Sequence, residues 1–230
     1  RKNVNDENYP YKVMVSEFML QQTGVSTVIP YFENFINKWP TIKCLASARE
    51  EDILLAWQGL GYYRRARNLL KCAKKICNQY DAKVPTSLEE LQSLPGIGVY
   101  ASGAIRSIAF DKKAVAIDGN VKRVLARYYG FFGRLDQNEK LINEKASECC
   151  PHKSNRQYTQ AVMEHGALVC TPKLTKCYLC VLSSKCYSYK NKIVDRIPEP
   201  KLKMKKKKLN CISFLSLKGD REVLLRKRPK

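Results

Sequence analysis

Acidic residues are scarce. The 230-residue chain has 21 Asp and Glu against 42 Lys and Arg, a formal net charge of +21. It contains no apolar run of about eighteen residues, so no helix that spans a bilayer is expected. No charged segment followed by an apolar stretch opens the chain, so secretion is not expected. A disulfide framework is therefore not expected either, despite ten cysteines. A hydrophobic content of 44% excludes wholesale disorder. Positive charge in this excess repels itself unless a polyanion or a buried counter-charge offsets it. Nucleic acid is the first partner to consider, and an anionic membrane surface the second.

The charge is uneven. Residues 187–230 hold fifteen Lys and Arg against four Asp and Glu, about half of the excess. The run Lys201 to Lys208 contains six lysines beside Pro198 and Pro200, and reads as a charged, flexible linker. A solvated linker with no specific partner explains it equally well. Beyond it, Cys211 to Leu217 and Glu222 to Arg226 read as strands flanking a turn at Lys218–Arg221. A lone hairpin is not stable in water. The expectation is therefore a fragment of a longer protein that stops inside a second, β-containing domain.

No alternating strand pattern competes in the first 186 residues. Val28, Phe32, Phe35, Ile36 and Trp39 recur at helical spacing, as do Ile53, Leu54, Trp57 and Leu60. Ala66, Leu69, Leu70, Ala73 and Ile76 form a third stripe, Ala101, Ala104, Ile105 and Ile108 a fourth, and Val121, Val124 and Leu125 a fifth. Ser87-Leu-Glu-Glu90 is a capping box that opens a short helix. The region reads as an all-α domain of short helices broken at Gly59–Gly61 and Pro95–Gly98.

Four cysteines stand as Cys170-x6-Cys177-x2-Cys180-x5-Cys186. Four thiols so close in sequence are a strong metal-site signal. Zinc would more usually pair them as two close knuckles. Only the central pair has that spacing, so an iron–sulfur cube fits better. Lys173, Lys176 and Lys185 lie on this loop, as phosphate contacts or merely as solvated charges. The other cysteines read as buried small hydrophobes. Leu94-Pro95-Gly96-Ile97-Gly98 joins two helical patterns. Glycine permits the positive φ of a tight turn and leaves N–H groups uncovered at the next helix start, where an anion is favoured. A plain helix–turn–helix connection is the bland alternative.

Together these pieces resemble the helix–hairpin–helix DNA glycosylase superfamily, and within it the MutY-type adenine DNA glycosylases. The carrying segments are Ser16-Glu-Phe-Met-Leu-Gln-Gln-Thr23, Gly59-Leu-Gly-Tyr-Tyr-Arg64, Leu94-Pro-Gly-Ile-Gly98, Ile117-Asp-Gly-Asn-Val-Lys-Arg-Val124 and the four-cysteine loop. The resemblance implies two helical lobes around a DNA-binding cleft. One lobe holds the hairpin, and the other, built from both ends of the domain, holds a 4Fe-4S cluster. It divides the chain into a glycosylase domain at 1–186, with the hairpin at 94–98 and the cluster loop at 170–186, a basic linker at 187–208, and the start of a truncated Nudix-like, 8-oxoguanine-reading domain at 209–230.

The implied activity is removal of adenine mispaired with 8-oxoguanine or guanine in double-stranded DNA, by a monomer acting inside the cell wherever DNA is. The base must leave the stack before its glycosidic bond is reachable. Glu17 is implied as proton donor to adenine N7, which asks for apolar surroundings. Asp118 is implied as the carboxylate facing the sugar C1′, and Asn120 as the group orienting the acids or the attacking water. Without the resemblance, Glu17 reads as a surface or capping residue and Asp118-Gly119 as a turn. Bifunctional relatives such as endonuclease III place a Schiff-base lysine where this chain has Tyr100, and a phenol forms no Schiff base. Tyr100 thus implies a monofunctional enzyme, unless it is a core residue. Gln22 and Tyr62 match positions that intercalate and hold the duplex open. Gln160 matches a contact to the adenine edge. Gly96 and Gly98 would meet phosphate, and Lys122 and Arg123, beside Asp118, would contact the DNA. The rivals are a mismatch thymine glycosylase of the same superfamily and a non-catalytic four-cysteine DNA-binding module. Binding alone would need neither Glu17 nor Asp118.

Overall fold

The computed structural model describes residues 4–200 and the strand residues 217–218 and 222–223. Eleven α-helices follow one another among the described residues. They are α1 (Tyr9–Leu20), α2 (Val25–Lys38), α3 (Ile42–Ala46), α4 (Glu50–Ala56), α5 (Arg64–Gln79), α6 (Leu88–Gln92), α7 (Val99–Phe110), α8 (Gly119–Tyr129), α9 (Glu139–Cys149), α10 (Asn155–Leu168) and α11 (Tyr187–Lys190). The stripes read from the sequence are the buried faces. Ala66, Leu69, Leu70, Ala73 and Ile76 are buried on α5, and Ala101, Ala104, Ile105 and Ile108 on α7. The expected N-cap forms, with the Ser87 hydroxyl accepting from the Glu90 amide at 3.1 Å.

Helix α1 has no stripe because nine of its twelve residues are buried. A helix enclosed on all sides shows no amphipathic period. It lies in the larger core, to which α2 through α7 contribute Phe35, Leu45, Ile53, Leu69, Leu91 and Ile105. A smaller core joins Val121 and Leu125 of α8 to Ile142 and Ala146 of α9. Met163 of α10 packs against both cores, so α10 is the seam between them.

Among the described residues, every buried apolar residue of α1 lies in the larger core, with the hairpin. The helical unit does not stop at Cys186, where the linker was drawn. It runs to Glu199. Ile197 is fully buried, its carbonyl accepts from Arg127 Nε at 2.7 Å, and the Glu199 amide donates to the Gly133 carbonyl at 3.0 Å.

A second unit covers residues 200–230. In it, β1 (Leu217–Lys218) pairs antiparallel with β2 (Glu222–Val223), Leu217 opposite Val223 and Lys218 opposite Glu222. Lys218, read as a turn residue, is therefore a strand residue. The lysine run 201–208 lies outside the described residues.

Candidate functional site

Glu17 lies in the last third of α1 and is 3% exposed. Tyr100, the second residue of α7, donates its phenol to Glu17 Oε2 at 3.3 Å across 83 residues of chain. The hairpin makes this meeting possible. Gly96 has φ +83°, and a Cβ there would come within 2.8 Å of Asn68 Cβ and of the Phe18 ring. The turn therefore rests directly on α5 and α1, which delivers the first turn of α7 beside Glu17. Leu94 and Ile97 are buried and anchor the turn, while Gly96 and Gly98 are exposed. A Cβ at Gly98 would meet nothing within 4 Å, and no side chain caps α7. Packing does not require glycine at position 98.

Asp118 is the N-cap of α8. Its Oδ1 accepts from the Val121 amide at 2.7 Å, and its Oδ2 accepts from Asn120 Nδ2 at 2.9 Å. Asn120 Oδ1 accepts in turn from Arg123 Nη2 at 2.9 Å. The Asn120 amide is thus fixed in one orientation, oxygen to the cation and nitrogen to the carboxylate. Gly166 of α10 packs against this turn so closely that a Cβ would meet Asn120 Cβ at 2.7 Å.

Arg123 was expected to face DNA, and the structure corrects this. It is 8% exposed and donates to the carbonyls of Gly166 at 2.6 Å and Cys170 at 2.8 Å. Burial holds its guanidinium below the usual arginine value. It works inside the protein, tying the Asp118–Asn120 turn to the start of the cysteine loop. Lys122 is committed to Glu139 of α9 at 2.5 Å. Arg127, one turn beyond Arg123 on the same face, donates to the Thr171 carbonyl at 2.7 Å and to Cys170 Sγ at 3.4 Å.

Gln22 and Tyr62 are both exposed, and both hold left-handed backbone, at φ 58° and 47°. Non-glycine residues in that region are uncommon and cluster at functional sites. Tyr62 exposes 64% of its surface. One buried side chain joins their two loops. Arg65 donates to the carbonyls of Met19 at 2.8 Å, Gln21, and Leu60 at 3.0 Å, and to the Thr23 hydroxyl at 3.1 Å. Its cation also lies 5.5 Å from the Tyr62 ring centre.

Gln160 is half-buried on α10, where its amide nitrogen donates to the Arg156 carbonyl of its own helix at 3.1 Å. The structure brings Glu17 to Tyr100, Asp118 to Asn120, and the Gln22 loop to the Tyr62 loop. Cys170, Cys177, Cys180 and Cys186 line one apolar cavity with Val169, Tyr189 and Val194. No described cysteine is in a disulfide. Cys72 and Cys150 are buried as expected, whereas Cys44 is exposed. Lys173, Lys176 and Lys185 are exposed around the loop.

Arg65, Arg127 and His165 were missed by the sequence reading. Arg123 and Arg127 did carry a signal: two arginines four residues apart within the apolar pattern of α8.

The chain is similar to known proteins. The family model described as HhH-GPD superfamily base excision DNA repair protein matches residues 15–152. The adenine DNA glycosylase of Buchnera aphidicola subsp. Schizaphis graminum (strain Sg) is 46% identical over 201 residues, 86% of this chain and 56% of that protein. The adenine DNA glycosylase of Mus musculus is 40% identical over 194 residues, 82% of this chain and 37% of that protein. The chain therefore spans little more than half the length of the first of these relatives and less of the second. The solved structure of a thermostable thymine-DNA glycosylase superposes with a TM-score of 0.72 at 28% identity, covering 81% of this chain and 89% of that one.

Proposed function

The chain belongs to the HhH-GPD superfamily of base excision DNA repair proteins, and from that premise we propose that it is a monofunctional adenine DNA glycosylase. Its substrate is adenine opposite 8-oxoguanine or guanine in double-stranded DNA. Its product is an abasic site. The observation that carries the reading is the Tyr100 phenol on the Glu17 carboxyl at 3.3 Å, at the position where lyase relatives hold a nucleophilic amine. Relatives named adenine DNA glycosylase, at 46% and 40% identity, support it.

Glu17 protonates the departing base, and its burial supplies the desolvation a proton donor needs. Asp118 stabilises positive charge that develops on the sugar. Asn120, held by Arg123, fixes the orientation of that carboxylate. Gln22 and Tyr62 fill the gap left by the flipped base, their exposure and backbone strain supporting that role. Gly96 and Gly98 accept phosphate at the start of α7, and the lysines of the cysteine loop add further phosphate contacts. Gln160 reads the adenine edge once its bond within α10 is exchanged. The protein acts as a monomer wherever the cell keeps its DNA, and no described helix is long and apolar enough to cross a membrane. Residues 209–230 begin a Nudix-like domain that reads 8-oxoguanine.

The four cysteines fit a 4Fe-4S cluster. All four thiols line one cavity, and their C-x6-C-x2-C-x5-C spacing, with a single close pair, suits a cluster better than the paired knuckles of zinc. A ring of thiols around an apolar cavity suits a polynuclear group. The cluster supplies a rigid scaffold for the loop; the chain's own part is to tether that loop through Arg123 and Arg127.

The test is single-turnover excision on duplexes carrying A opposite 8-oxoguanine, A opposite G, and T opposite G. Release of adenine from the first two supports the reading. Release of thymine alone would establish the second reading, a mismatch thymine glycosylase, which the structural likeness to such an enzyme favours. Tyr100→Lys places an amine beside Glu17. It is expected to yield a borohydride-trapped covalent adduct with DNA that the wild type does not form. Equal trapping by the wild type would overturn the monofunctional assignment.

A further inference from the structure

The last turn of α10 meets the cysteine loop at one residue. The His165 carbonyl accepts from the amides of Val169 at 3.0 Å and Cys170 at 2.8 Å. Its ring reaches the other way, with Nε2 3.4 Å from Cys180 Sγ. His165 therefore touches two of the four thiol positions, one through its backbone and one through its ring. The rest of the cavity is lined by Val169, Ser183, Tyr189 and Val194.

A metal-bound thiolate has lone pairs and no proton, so it only accepts hydrogen bonds. A neutral imidazole facing it must carry its proton on Nε2 and donate. Hydrogen bonds to cluster sulfurs are one of the levers by which a protein sets an iron–sulfur potential. Reduction adds negative charge to the cluster and its sulfurs. A donor on sulfur stabilises the reduced form more than the oxidised one. Removing the donor therefore lowers the potential.

We propose that His165 is a positioning residue of the cluster that sets its reduction potential through a hydrogen bond from Nε2 to Cys180 Sγ. The inference rests on the reading of the four cysteines as a 4Fe-4S site. Arg127 makes a similar contact to Cys170 Sγ at 3.4 Å, but it also holds the carbonyls of Thr171 and Ile197, so its removal would disturb the fold. His165 has no second hydrogen-bond partner through its ring among the described residues and is the cleaner probe.

The experiment uses the full chain purified anaerobically, as wild type, His165→Leu and His165→Gln. Iron, sulfide and zinc are measured first. Four irons and four sulfides per chain uphold the cluster reading, whereas stoichiometric zinc overturns that reading and this inference with it. The cluster potential is then measured by voltammetry on protein of full iron content. His165→Leu is expected to shift the redox equilibrium about tenfold toward the oxidised form, about 59 mV for a one-electron couple. His165→Gln, which retains an N–H donor, is expected to recover much of the shift. An unchanged potential in a fully loaded His165→Leu protein would refute the inference while leaving the cluster reading intact. If His165→Leu does not retain iron, the wild type still decides. Its two histidines are labelled with 15N, and its paramagnetic cluster state is expected to show a hyperfine coupling that His165→Gln, which keeps His152, lacks. No such coupling in the wild type refutes the hydrogen bond.

Discussion

Asp118→Asn is expected to slow adenine excision by about a hundred- to a thousandfold, the range seen when one preorganised electrostatic group is lost from a transition state. Helix α8 should survive the change. Asp118 caps it by accepting from the Val121 amide at 2.7 Å, and asparagine caps as well as aspartate. Asp118→Ala, by contrast, also loses the cap and about 1 kcal/mol of stability. The asparagine variant still removes two things. One is the negative charge. The other is the anchor of Asn120, whose amide nitrogen now faces Asp118 Oδ2 at 2.9 Å and whose oxygen is held by Arg123. An asparagine at 118 that keeps its oxygen on the cap turns its own nitrogen toward that of Asn120, and two donors repel.

The double exchange Asp118→Asn with Asn120→Asp separates these effects. It restores a donor facing an acceptor and keeps an acceptor for Arg123, but moves the charge two residues along the chain. Thermal unfolding should return toward the wild type while single-turnover excision stays slow. Full recovery of excision by the double exchange would show that orientation, not charge at position 118, is what matters there. Undiminished excision by Asp118→Asn alone would remove Asp118 from the mechanism.

Arg65→Met should cost about 3 kcal/mol or more of stability. Arg65 is 7% exposed, and its guanidinium serves the carbonyls of Met19, Gln21 and Leu60, the Thr23 hydroxyl and the Tyr62 ring. A buried acceptor left without a donor costs about 1–3 kcal/mol, and methionine supplies none. Burial pulls the guanidinium below the usual arginine value, yet it stays charged at any working pH. Lysine, a compact point charge without the planar fork, should recover only part of the loss.

The same change frees two loops. Left-handed backbone at Gln22 and Tyr62 persists only while its surroundings hold it. Without Arg65 both residues relax toward ordinary φ values and turn away from where the duplex would lie. Excision on A opposite 8-oxoguanine should fall by more than the folded fraction accounts for. Urea unfolding and single-turnover kinetics at a temperature where the variant is fully folded would show this. A stability change under 0.5 kcal/mol would mean that water replaces the arginine, and the clamp would be rejected.

Much of the architecture was legible in the chain itself. The five apolar stripes became buried faces because helical periodicity and burial are one constraint seen twice. The Ser87 cap and the Gly96 turn were readable because their chemistry is local: a hydroxyl three residues from its amide, and a φ that glycine adopts freely. The four-cysteine spacing pointed to a metal group, and the structure lines one cavity with those thiols. The motifs singled out Glu17 with Tyr100 and Asp118 with Asn120, and the structure brings each pair into contact. Helix α1 stayed hidden as a pattern because burial on every side removes the contrast between faces.

Tertiary structure alone decided what each polar side chain faces. Arginine in a basic protein reads as a DNA contact, yet Arg65, Arg123 and Arg127 all turn inward to backbone carbonyls. Most of those acceptors lie more than forty residues away in sequence, and no local pattern records them. The Glu17–Tyr100 contact spans 83 residues, and the domain runs to Glu199 because Ile197 finds a buried place beside Arg127. Side-chain identity sets what chemistry is available. Which groups lose water and which meet is set by packing between helices distant along the chain.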